Sequence, residues 1–242
     1  METRSKFEVL SIILLGILMA LLQAQILKGN ELNSESATHT KTVRTTDASV
    51  TDLYTKGVHF LKNDNPDSAA KYFEITLSKN PEMIPAFVNL GRAYIETEQY
   101  DKANEVLTHA MTLDSMHSDL WKVYGRLLYN TENTDDAIRA YQQSIELSDY
   151  NPYARNNLAL IYINEGRYQE AVELLKAAIR QKENVAYFHN NLGIALENMT
   201  SYQQAETAYQ KALEVQANYT KAETNVQRIQ EHIQNVSSVY QE

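Results

Sequence analysis

A small residue returns every 34 positions along this sequence, at Gly57, Gly91, Gly125, Ala159 and Gly193, with no insertion or deletion between them. Twelve residues after each stands an alanine: Ala69, Ala103, Ala137, Ala171 and Ala205. Four further on comes a large side chain, Phe73, Leu107, Tyr141, Leu175 or Tyr209. Three more give a small one, Thr76, Ala110, Ser144, Ala178 or Ala212. Leu90, Tyr124, Leu158 and Leu192 precede the first small residue, with Lys56 breaking the pattern in the first unit; Phe60, Tyr94, Leu128, Tyr162 and Leu196 follow it by three. Spacings of three and four belong to a helix face. A 34-residue unit holding two such stretches is a helical hairpin.

The pattern predicts five hairpins, at 50–83, 84–117, 118–151, 152–185 and 186–219. Antiparallel helices with axes about 8–10 Å apart need small residues where their backbones cross. Position 8 (Gly or Ala) and position 20 (Ala) of each unit form that notch, and large residues at positions 4, 7, 11 and 24 fill the space beside it. Asn65-Pro66 and Asn151-Pro152 read as an N-cap followed by proline in the first turn. Gly166, before Arg167 and Tyr168, marks the tight turn of the fourth hairpin. Past Tyr219 the chain stays helical in pattern but turns polar, so residues 220–242 are expected to form a helix and tail that cap the stack.

Ahead of the repeats lie two other segments. Val9 to Leu27 carries no charge and follows Arg4 and Lys6. Nineteen helical residues reach roughly 28 Å, just enough for a hydrocarbon core of about 30 Å. The purely apolar part ends at Leu22, however, and Leu22-Gln23-Ala24 resembles a signal-peptide cleavage site. An uncleaved anchor and a cleaved signal both remain open for residues 1–28, beside a buried soluble helix. Lys28, Lys41 and Arg44 follow the segment, so charge does not settle orientation; the short N-terminal tail favours repeats on the far side of a membrane. Residues 29–49 are rich in Ser and Thr, without period, and read as a flexible tether.

The spacing of the repeats resembles the tetratricopeptide-repeat (TPR) family, whose signature over 34 residues is W-x2-L-G-x2-Y, then A-x3-F, A and P. Trp121 occupies the tryptophan position in the third repeat and Pro81 the proline position in the first. Ala159 replaces glycine, and Ser115, Asp149, Glu183 and Ala217 replace the later prolines. The resemblance implies an all-α solenoid of five hairpins plus a capping helix. It further implies a groove lined by positions 2, 5, 6, 9 and 12 of each first helix. Position 6 reads Thr55, Asn89, Val123, Asn157, Asn191 and, in the cap, Asn225. An amide both donates and accepts, so such a ladder suits an extended peptide backbone; inherited consensus explains it equally. Arg92, Lys122, Arg126, Tyr129, Tyr153, Asn156, Tyr187 and Asn190 complete the candidate groove. The basic residues among them suit a carboxylate, or belong to a solvated face paired with nearby acids. The family's carboxylate clamp would fall on Tyr54, Val58, Asn89, Asp119 and Val123, and only Asn89 matches, so chaperone C-termini are not expected ligands.

Composition narrows the classes. Cysteine is absent, which removes disulfides and thiolate chemistry. Net charge is −9, all of it beyond residue 48, where 17 Lys and Arg face 26 Asp and Glu; nucleic acid is not an expected partner. His39, His59, His109, His117, His189 and His232 share no metal-ligand spacing, and no phosphate-binding glycine loop occurs. No cofactor, metal, small-molecule substrate or catalytic constellation is expected. Asn198, Asn218 and Asn235 open N-x-[ST] triplets that matter only in a eukaryotic secretory protein. The expected function is a non-enzymatic adaptor for a protein or peptide, membrane-anchored or exported. It resembles bacterial envelope TPR proteins, with the repeats in the periplasm. The alternative is a structural subunit that uses its convex face or its ends.

Overall fold

A computed structural model of the chain describes residues 49–239, and every regular element among them is a helix. The chain divides into two units after Thr55; the architecture below is that of the second, from Lys56 onward. Helix α1 occupies 49–62. It is followed by α2 (Pro66–Lys79), α3 (Ile84–Glu96), α4 (Tyr100–Leu113), α5 (Ser118–Asn130) and α6 (Thr134–Leu147). Then come α7 (Pro152–Asn164), α8 (Tyr168–Gln181), α9 (Ala186–Asn198), α10 (Tyr202–Val215) and α11 (Thr220–Val239). Helices α1 to α10 fall two to each 34-residue unit, and α11 follows them. The expected hydrophobic helix at Val9 to Leu27 and nearly all of the tether lie outside the described residues. Among the described residues no helix is long and apolar enough to cross a membrane.

Helices α4, α6, α8 and α10 each pack on the odd-numbered helices before and after them, and α2 packs on α3. The odd helices also pack on one another, α3 on α5, α5 on α7 and α7 on α9, whereas the even helices form no comparable pairs. The odd layer is therefore the tighter one, and its side away from the even helices is the inner face of the repeats.

The notch is as close as the spacing implied. A Cβ placed on Gly193 would sit 2.4 Å from the Tyr209 ring, and one on Gly125 would sit 3.0 Å from the Tyr141 ring. Ala69, Ala103, Ala137, Ala171 and Ala205 on the facing helices are fully buried. In the fourth hairpin Ala159 itself stands at the notch, opposite Leu175, a flexible side chain where the third and fifth hairpins have rigid rings.

Position 4 shows how one geometry accepts three chemistries. Trp121 Nε1 donates to the Ser115 carbonyl at 2.7 Å. One repeat later Arg155 Nη1 donates to the Asp149 carbonyl at 2.7 Å, and in the next His189 Nε2 lies 2.8 Å from the Glu183 carbonyl. Each of these side chains ties the start of an odd helix to the carbonyl six residues earlier. In these three repeats the position carries a bulky side chain with a polar nitrogen; in the second repeat Phe87 fills it, buried and without one.

The turns inside the hairpins also share a geometry. Asp64, Glu98, Glu132, Gly166 and Thr200, all at position 15, have φ of 55°, 58°, 62°, 76° and 59°. The next N–H reaches back five residues in every case: Asn65 to Phe60, Gln99 to Tyr94, Asn133 to Leu128, Arg167 to Tyr162 and Ser201 to Leu196, at 2.8–3.0 Å. This is the Schellman closure of a helix end, which satisfies carbonyls otherwise left without partners. Only Gly166 was legible as such a turn. The two Asn-Pro caps form as expected, Asn65 accepting from the Ser68 N–H and Asn151 from the Ala154 N–H.

Candidate functional site

The even helices cover one side of the odd layer, so positions 2, 5, 6, 9, 12 and 13 of the odd helices stand on the other side. Along the middle of that face runs a chain of amides. Asn191 Nδ2 on α9 donates to Asn156 Oδ1 on α7 at 2.9 Å. Asn156 Nδ2 donates to Asn157 Oδ1 at 3.3 Å, and Asn157 Nδ2 to the Tyr141 hydroxyl at 3.4 Å. One repeat on, Asn225 Nδ2 of the cap donates to Asn190 Oδ1 at 2.9 Å. Asn156, Asn190 and Asn191 are buried, while Asn157, Asn225 and Asn89 are half-buried. Asn156 joins Asn157 and Asn191, and the amide donors of all three already have partners within the protein. Burial pushes the Tyr141 hydroxyl well above its usual range, against the Asn157 bond and the charge of Arg126, so it stays neutral.

On one side of this amide line are charges and apolar groups at positions 9, 12 and 13. Arg92 and Arg126 both approach Glu96, at 3.7 and 3.3 Å, and both guanidinium groups are well exposed. Tyr129 accepts a hydrogen bond from Asn164 Nδ2 at 2.8 Å, bridging α5 and α7. Leu160, at position 9 of α7, is more than a third exposed.

On the other side, toward the start of each odd helix, Tyr153 is the centre. Lys182 Nζ donates to its hydroxyl at 2.6 Å and lies 4.9 Å from its ring centroid. Lys122 lies 6.0 Å from the same ring and pairs with Asp119. Phe188 meets Tyr153 edge-on, and Tyr187 meets Phe188 the same way. Tyr187 is partly exposed; burial first, then its neighbours Tyr153 and Tyr219, push its hydroxyl up to about 12.

The cap closes the far end. Glu197 accepts from the Tyr209 hydroxyl at 2.7 Å and from Arg228 of α11 through Nη1 and, at 2.8 Å, through Nη2. Burial alone would raise the Glu197 carboxyl; the guanidinium and the hydroxyl overcome it and hold the group below its usual range. His232 meets Tyr202 with the rings tilted, centroids 4.4 Å apart.

The structure thus brings every residue of the candidate groove onto the odd helices and joins many of them in pairs. It adds Glu96, Leu160, Asn164, Lys182, Glu197 and Arg228. Leu160, Glu197 and Arg228 fall at positions 9 and 12, so the repeat register already pointed to them; Glu96, Asn164 and Lys182 fall outside the usual groove positions. Among the described residues no group of three His, Asp or Glu is placed to hold a metal.

The family model described as the cilia and flagella-associated protein 70 C-terminal domain matches residues 16–241. The chain belongs to this tetratricopeptide-repeat family. Among curated proteins, the BBSome complex member BBS4 of Bos taurus is 34 % identical over 85 residues, 35 % of this chain and 16 % of the relative. The peroxisomal targeting signal receptor of Eremothecium gossypii is 32 % identical over 94 residues, 38 % of this chain and 16 % of the relative. The TPR chain therefore matches about a sixth of the length of these relatives. Among solved structures, that of Pseudomonas aeruginosa pilF superposes with a TM-score of 0.68 at 16 % identity, covering 81 % of this chain and 89 % of that one. At that identity the likeness is one of fold.

Proposed function

We propose that this TPR chain is a non-enzymatic adaptor that holds an extended protein segment along the inner face of its odd helices. One observation carries the reading. Tyr129, Leu160 and Tyr187 are 36–38 % exposed, and all three lie on that face, on the consecutive odd helices α5, α7 and α9. Exposed apolar side chains on three successive repeats, at positions 12, 9 and 2 and on the side that no other described helix covers, suit a ligand that crosses the face obliquely as it passes along the stack. One relative is by its name a receptor for a targeting signal, which agrees with this reading.

The location we infer rests on Val9 to Leu27. As an anchor or export signal it puts the repeats outside the cytoplasm, in the bacterial periplasm, where the adaptor serves envelope complex assembly. Protease treatment of intact and permeabilised cells tests this: repeats cleaved only once the inner membrane is opened would refute it. For the groove, partners recovered with the detergent-solubilised chain are compared with those of Tyr129→Ser/Leu160→Ser/Tyr187→Ser. Loss of exchangeable partners at an unchanged melting temperature supports the adaptor, and full retention excludes the inner face.

A cleft of about 490 Å³ between α6 and α8 favours a second reading. It is floored by Leu158 and Tyr162, walled by Ile145 and Leu174, and lies on the outer face. A structural subunit would use such a cleft against one stoichiometric partner, and that partner would survive the triple substitution.

A further inference from the structure

Resting on the groove reading, we propose that the segment it takes is acidic, and that its carboxylates are received at two separated points. One lies between Arg92 and Arg126; the other is Lys182, beside Tyr153.

At the first point two guanidinium groups share a single carboxylate. Glu96 contacts Arg92 at 3.7 Å and Arg126 at 3.3 Å, neither in the short, two-pronged geometry that arginine and carboxylate prefer. Each guanidinium has five N–H donors and stands in reach of solvent. One further carboxylate makes the set alternate, cation and anion in turn, and balances the charge that Glu96 leaves over.

At the second point the ammonium of Lys182 has a tyrosine hydroxyl as its hydrogen-bond partner. Among the described residues no carboxylate lies within 4.0 Å of it, although acids outnumber bases in the chain by 31 to 22. Two of its three N–H groups remain for a ligand. Tyr153 fixes the ammonium in place through the 2.6 Å bond and the ring beneath it. Lys122 on the far side of that ring adds positive potential, although Asp119 partly offsets it.

Along each odd helix, positions 5 and 6 stand between position 2 and position 9; from α7 onward they carry the amide line, whose donors are already engaged. It offers a neutral floor. The contrast of charge therefore lies at the edges of the groove, and an extended chain crossing from one edge to the other meets both cationic points.

The test uses the full chain in detergent and three acetylated, fluorescein-labelled peptides, octaglutamate, octaglutamine and octalysine, followed by fluorescence anisotropy. Octaglutamate should bind at least about tenfold more tightly than octaglutamine, and the difference should shrink as ionic strength rises. Arg92→Gln/Arg126→Gln and Lys182→Gln should each weaken octaglutamate about tenfold, while Lys176→Gln on α8 leaves it unchanged. Circular dichroism melts confirm that each variant is folded. Octaglutamate binding that ignores both substitutions, or octaglutamine binding as tight, overturns the proposal. A pooled array of random octapeptides separates the two readings. If neutral peptides bind and are lost in Tyr129→Ser/Leu160→Ser while octaglutamate fails, the groove stands and its acidic ligand does not. If no peptide responds to either set of substitutions, both readings fall.

Discussion

Asn191 reaches from one repeat into the one before it, its amide donating to Asn156 at 2.9 Å inside a site that excludes water. Asn225 and Asn190 repeat the bond 34 residues on, at the same length. Position 6 of one repeat thus holds position 5 of the preceding one. In the second and third repeats these positions are Val88 and Val123, both buried.

That comparison yields a stability prediction. Asn191→Ala leaves the Asn156 amide without its partner and should cost about 1–3 kcal/mol, because a buried polar group loses its bond without regaining water. Replacing both residues, as Asn156→Val/Asn191→Val, restores the apolar solution found at Val88 and Val123 and should recover most of the loss. Urea unfolding of the two singles and the double gives the coupling. Losses that simply add would refute the pairing.

Thr200 is the costliest of the turn residues. Its φ of 59° is a region that β-branched side chains avoid, at about 1–2 kcal/mol. Thr200→Gly should raise stability, by about 1 kcal/mol after the added freedom of the unfolded chain is counted. Asp64→Gly should gain less, since aspartate tolerates the same conformation better. Thermal melts of both variants decide it, and an unchanged or lower melting temperature for Thr200→Gly would count against this assignment.

The notch makes a third prediction. Gly193→Ala drives a methyl into the Tyr209 ring, 2.4 Å away, and should cost about 1–3 kcal/mol. Adding Tyr209→Leu reproduces the Ala159 and Leu175 pair of the fourth hairpin and should offset part of that cost, although it also removes the hydroxyl from Glu197. If the double variant is no more stable than the alanine single, the rings do not set the requirement for glycine.

A fourth concerns pH. The Glu197 carboxyl is held below its usual 4.5 in the folded chain, so the folded state binds this proton less readily than the unfolded one. Its contribution is present above about pH 4.5 and is lost as pH falls through the depressed value. Glu197→Gln should lower stability at neutral pH by about 1 kcal/mol, and the gap should close in acid. Unfolding curves of parent and variant from pH 7 to 3 test this; a gap that stays constant would show that the charge has no part in it.

The hairpins were legible because their requirement is steric and local to each unit. A glycine or alanine at the crossing, with an alanine and a large apolar or aromatic side chain opposite, can be read from spacing alone. The turns were mostly not legible. Asp, Glu, Glu, Gly and Thr share no side-chain property, because the Schellman bonds of the backbone impose the left-handed residue from outside. Trp121 was legible as a consensus residue, but not its kinship with Arg155 and His189, which lies in a shared acceptor. The amide line was half legible. The doublets Asn156-Asn157 and Asn190-Asn191 stand in the sequence, yet their bonds join residues 35 apart, one more than the repeat, and a ladder read along position 6 alone passes them by. Lys182 escaped notice since its neighbour Tyr153 lies 29 residues away in sequence.

The residue at position 15 has a consequence for the length of every repeat. It belongs to the closure of one helix, and a single residue separates it from the next, so the hairpin contains no slack. One inserted residue could not loop out; it would turn the following helix by about 100° and advance it by about 1.5 Å. Ala137 or Ala205 would then swing away from its crossing, and a bulkier side chain would enter in its place. Drift in length is in this way converted directly into a clash, and a constant 34-residue register through all five units is what survives.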